Sequence, residues 1–200
     1  MKKLIQLLFF LCCINTAIFS QVKKVESFGG ATSFNKTVFS VQYTLHKQIR
    51  LFDFVISEKA DTICIDWSIF RDSKRLNGCY KVPYQALKCG DMLSWDQPET
   101  DKVIYLSSME TFGFISRDAL RKLCEEGSFV YNQTTYRKIN QDEMFVSQQI
   151  ADILSKYKDK SLIHVRADID RTEMWIVNDS KLPLIYRMSN NPIGIDWIIY

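Results

Sequence analysis

An α+β fold, mainly antiparallel sheet with two packed helices, is predicted by three features of the sequence. From Thr37 onward, runs rich in β-branched and aromatic residues alternate apolar with polar positions, the period of a strand. Clusters of turn-forming residues separate these runs at short intervals, as in a meander. Two stretches, one before Gly127 and one after Asn140, switch to helical spacing.

Val38 to Leu45 and Ile49 to Ser57 are the first strands, and the break Glu58-Lys59-Ala60-Asp61 returns the chain antiparallel. Thr62 to Phe70 then places Ile63, Ile65, Trp67 and Ile69 on one face and Cys64, Asp66, Ser68 and Phe70 on the other. A polar turn from Arg71 to Gly78 follows. Ser116 is the expected N-cap of a helix over 117–126, with Asp118 in its first turn, Leu120, Leu123 and Cys124 as its apolar stripe and Gly127 as its stop. That stripe predicts a buried thiol at Cys124. Ser128 to Tyr131 and Thr134 to Ile139 flank Asn132-Gln133 as a hairpin. A longer helix is expected after Asn140, with Val146, Ile150, Ile153, Leu154 and Tyr157 on one face. Strands near Ser161 to Ala167, Glu173 to Asn178, Leu184 to Met188 and Ile193 to Tyr200 complete the chain.

The last of these repeats the alternation of the third. Ile193, Ile195, Trp197 and Ile199 match Ile63, Ile65, Trp67 and Ile69, and both copies contain Ile-Asp-Trp. A shared core, an internal duplication and coincidence in an Ile-rich chain all fit. In the first case Trp67 and Trp197 are packing residues, each burying on the order of 200 Å². Met174 to Val177 and Leu184 to Tyr186 are apolar on both alternating faces, so these strands are expected to be covered on both sides. Either a two-layer arrangement or a curved sheet around an apolar cavity would do this.

The N-terminus reads as an export signal. Lys2 and Lys3 precede an apolar run from Leu4 to Phe19, which closes on Ser20 and falls short of the about 20 apolar residues of a transmembrane span. The expected organisation is a signal peptide over 1–20, a flexible segment over 21–36 and one α+β domain over 37–200, divisible at most into subdomains 37–139 and 140–200. No transmembrane span is expected after cleavage. The 200 residues are 46% hydrophobic and 13% aromatic, which excludes a disordered chain. Of 26 basic residues, removal of Lys2 and Lys3 leaves 24 against 23 acidic, so no polyelectrolyte footprint for nucleic acid is expected.

The string Glu110-Thr111-Phe112-Gly113-Phe114-Ile115-Ser116, with Leu120, Leu123, Gly127, Phe129, Tyr131-Asn132 and Thr134-Thr135-Tyr136, resembles a segment of uncharacterised exported proteins of Bacteroidetes. Glu173 to Val177, Pro183-Leu184-Ile185, Met188, Asn190-Asn191-Pro192 and Ile195-Asp196-Trp197 are similar to the closing strands of the same group. The resemblance implies an exported address and carries no activity.

Motifs of catalysis are not found. Gly113-Phe114-Ile115-Ser116-Arg117 lacks the second glycine of a nucleophile elbow, and Ser116 serves better as a cap. His164 and Asp168 could complete a serine triad only with a serine brought close by the fold. Asp168 to Thr172 opens like a calcium loop but continues into Glu173 where glycine is needed. No C-x-x-C occurs and the two histidines are far apart, so no metal or cofactor is expected. Four cysteines, Cys64, Cys79, Cys89 and Cys124, follow the leader, and among their three full connectivities Cys79 with Cys89 is the favoured disulfide.

The expected function is therefore non-catalytic: an exported, periplasmic, outer-membrane-associated or secreted binding module. Its partner would be an envelope protein or glycan, with a carrier of a small apolar ligand, or an enzyme of unidentified class, as alternatives. Candidate contact residues are Trp95, in the loop from Asp91 to Asp101, and Trp175 and Tyr186 in the closing strands. For Trp95 the competing reading is a plug that ties its loop to the core.

Overall fold

A computed structural model of the chain describes residues 36–45, 47–139 and 161–199. The expected signal peptide over 1–20, the expected flexible segment over 21–36 apart from Lys36, and the helix expected after Asn140 lie outside the described residues. The strands are β1 (Thr37–Leu45), β2 (Gln48–Lys59), β3 (Thr62–Arg71), β4 (Lys74–Pro83), β5 (Met92–Leu93), β6 (Val103–Tyr105), β7 (Glu110–Thr111), β8 (Ser128–Tyr131), β9 (Thr134–Lys138), β10 (Leu162–Ala167), β11 (Glu173–Val177), β12 (Ile185–Ser189) and β13 (Ile195–Ile199). Two helices are described, α1 (Tyr84–Cys89) and α2 (Arg117–Glu126).

Eleven strands form one sheet in the order β6-β4-β3-β2-β1-β13-β12-β11-β10-β9-β8, and β5 pairs with β7 separately. All neighbours in the large sheet are antiparallel except β4 and β6. The first strand pairs with the last, Tyr43 opposite Trp197, so one sheet runs through both 37–139 and 161–199. The described residues all fall within one compact unit.

Reversals are tighter than the composition implies. The polar stretch after Arg71 turns on Asp72 and Ser73 alone, at φ 51° and 60°, and Lys74 already belongs to β4. Asn132 and Gln133 repeat this at φ 49° and 61°. Positive φ at both central residues matches the twist of the flanking strands.

One sheet face holds Tyr43, Phe52, Phe54, Ile65, Trp67, Tyr80, Val165, Met174, Met188 and Trp197, all buried. The connection from α1 to α2 lies against it. Phe112 stacks on Tyr80 at 4.1 Å and approaches Phe54 and Trp197 at 6.1 and 5.9 Å. Trp67 and Trp197 thus enter one core, the packing role expected of them. Ile193 departs from the matched pattern: it precedes β13 and is 40% exposed.

α2 begins and ends where capping chemistry places it. Ser116 Oγ accepts from Ala119 N at 3.2 Å, and Gly127 closes the helix at φ 75°. Ser116 N donates to the buried Tyr131 hydroxyl at 2.7 Å, which ties the cap to β8. Cys124 is exposed, not buried as expected, because the covered stripe is Ala119, Leu120 and Leu123.

Candidate interaction surface

Register decides which residues share the sheet's second face. Leu51 lies opposite Gln42, Gln42 opposite Ile198, Ile198 opposite Arg187, Arg187 opposite Trp175, and Trp175 opposite His164. A single row therefore crosses from β2 to β10. Its β10 end is buried, with Trp175 and His164 each 8% exposed, whereas Leu51 at the β2 end is 54% exposed.

The buried end is a stack. The His164 ring lies 4.1 Å from that of Trp175 with 10° between planes, and the Arg187 guanidinium sits 4.7 Å from the Trp175 centroid. Glu173 Oε2 lies 3.2 Å from His164 Nε2, and its Oε1 accepts from Arg166 Nε at 3.0 Å. The carboxylate orients the imidazole and leaves Nδ1 buried with no hydrogen-bond partner among the described residues. Burial holds the His164 pKa below its ordinary value, and the Glu173 contact opposes that shift. A histidine oriented by a carboxylate is half of a base relay, but no serine or cysteine bonds His164 among the described residues. Asp168, the other acid considered, instead accepts from Arg137 Nε at 3.0 Å.

At the β1–β4 end, the same face carries a polar ladder. Ser40 Oγ donates to Asp53 Oδ1 at 2.9 Å, and Arg75 reaches Asp53 Oδ2 at 3.3 Å and Ser68 Oγ at 2.9 Å. These contacts are exposed and contribute at most about 1 kcal/mol each. Beside the ladder, Ile49, Leu51 and Phe70 are 62%, 54% and 75% exposed. Their chain neighbours Arg50, Ile69 and Arg71 alternate to the other face, where with Leu76, Pro98 and Thr100 they line a cleft of about 610 Å³. Arg71 pairs with Asp72, while Arg50 bonds only the Gln48 amide oxygen and has no carboxylate partner among the described residues.

Compared with protein-family models, curated proteins and solved structures, the chain matches none.

The residues singled out in the sequence are scattered. Trp95 is half-buried and packs against the core, so it ties down its loop instead of standing on the surface. Trp175 belongs to the stack, and Tyr186 is 1% exposed inside the sheet. Cys64, Cys79, Cys89 and Cys124 are free thiols. Cys79 projects from β4 beside Asp66 and donates to Tyr80 O, while Cys89 ends α1 and accepts from Gln85 Nε2, so the pair expected as a disulfide is engaged elsewhere. The exposed cluster was half visible in the sequence. Alternation set Phe70 on the face opposite Trp67, but only the β2–β3 register sets it alongside Leu51.

Proposed function

We propose that this chain is a non-catalytic, exported binding module that takes a partner protein's segment at the turn end of β1–β4. The observation that carries the reading is the cluster of Ile49, Leu51 and Phe70, exposed together on one face at the turn end of β2 and β3. Large apolar side chains clustered in the open mark interaction sites more often than chance exposure. Aromatic side chains such as Phe70 are also enriched in protein interfaces. The partner segment that fits carries apolar side chains for this cluster. Export rests on the charged and apolar leader over 1–20. A carrier function has weaker support, because Met174, Trp175, Ile176 and Tyr186 are packed, and the interior space beside Phe112 and Trp197 measures about 20 Å³.

A displayed peptide library panned against the purified chain tests this. Enriched peptides should carry Phe, Leu or Ile, and should lose about tenfold in affinity against Leu51→Glu or Phe70→Glu. Peptides that bind these variants as well as the parent chain, or no enrichment at all, would remove the reading.

A further inference from the structure

On the sheet's second face, Cys64 of β3 stands directly opposite Lys81 of β4. The Lys81 Nζ lies 2.9 Å from the Cys64 Sγ. The sulfur is buried, with Cys64 only 1% exposed, yet it lines a cleft of about 470 Å³ formed with Lys81, Thr62, Pro83 and Tyr105. A small oxidant has a route to the pair, while a bulky thiol reagent would meet a covered sulfur.

We propose that Cys64 and Lys81 form an oxidative modification site, in which dioxygen links them through a covalent N–O–S bridge. The thiol and the ammonium lose their S–H and two N–H bonds, and one oxygen atom joins nitrogen to sulfur. Sulfur and nitrogen each give up two electrons, and dioxygen accepts all four. The second oxygen atom leaves as water, and one proton passes to solvent. A thiol reductant reverses the link. The bridge spans two atoms already in contact and ties β3 to β4 at the rim of the cleft.

Cys79 is the competing partner, and geometry disfavours it. It lies opposite Asp66, two residues along β4 from Lys81, so it is a diagonal neighbour of Cys64. Diagonal residues on paired strands are about 7–8 Å apart, whereas disulfide-bonded residues usually have Cα separations of about 4.4–6.8 Å. Burial, followed by the Asp66 contact, also raises the Cys79 pKa to about 11, which keeps that thiol protonated.

Intact mass of the full chain, purified in air and again under reductant, tests the proposal. The aerobic sample should gain the mass of one oxygen less two hydrogens, and reductant should return it to the parent mass. Digestion should yield one linked peptide pair joining Cys64 to Lys81. Cys79→Ser should keep the gain, while Cys64→Ser and the charge-preserving Lys81→Arg should abolish it. Three results would overturn the proposal: an unchanged mass in air, a two-hydrogen loss with Cys64 linked to Cys79, or oxygen on Cys64 with Lys81 unlinked.

Discussion

The rings of His164 and Trp175 lie face to face, 4.1 Å apart and within 10° of parallel, on adjacent strands of the sheet. The stack has a consequence for pH dependence. Burial lowers the His164 pKa below its ordinary 6.5, so the folded chain keeps the ring neutral where the unfolded chain has begun to bind a proton. In that window the unfolded state holds more protons, and stability rises with pH. The contribution is complete above the unfolded value and is lost as pH falls through the folded-state pKa.

Urea midpoints should therefore fall between about pH 7.5 and pH 5.5, the range in which an ordinary histidine charges. His164→Gln should flatten this part of the profile. An equal slope in both proteins would assign the dependence to other groups.

Tyr131 provides a second test, because its hydroxyl receives Ser116 N at 2.7 Å and contacts Thr111 Oγ1 at 3.3 Å in the core. Tyr131→Phe leaves a buried N–H without its partner, which costs about 1–3 kcal/mol. Ser116→Ala removes the cap's side-chain acceptor instead and should cost about 1 kcal/mol. Because both changes act on one network, the double variant should be less destabilised than the two single effects added together. Simple additivity in chemical denaturation would refute the coupling.

Local chemistry made much of this fold legible. Ser116 and Gly127 bound α2 because a capping oxygen and a left-handed residue are needed at those ends, and both are written in residue type. The face of β3 was equally readable from alternation, since Ile63, Ile65 and Trp67 are buried and Asp66 and Phe70 exposed. Helix α1 was not foreseen, since its six residues follow Pro83 without a side-chain cap. The row from Leu51 to His164 was beyond reach for a different reason. It depends on β1 pairing with β13, a contact between the two ends of the sheet's chain path that no local pattern encodes. Cys64 beside Lys81 is likewise a matter of β3–β4 register.

Two glycines are required for opposite reasons, and substitution separates them. At Gly127 a Cβ would meet nothing within 4 Å, but the residue sits at φ 75°. Gly127→Ala should thus cost about 1–2 kcal/mol of backbone strain. Gly78 has the reverse problem: a Cβ there would lie 2.7 Å from Trp67 Cζ2 and 2.8 Å from the Glu99 carbonyl oxygen. Gly78→Ala should cost about 1–3 kcal/mol by overpacking. Combining it with Trp67→Phe, which trims the indole, should recover part of that loss, while the same partner change should leave the cost of Gly127→Ala unaltered. Urea unfolding of the two double-mutant cycles measures both couplings. A zero coupling between Gly78 and Trp67 would mean that the backbone at Glu99, not the indole, sets the limit at this position.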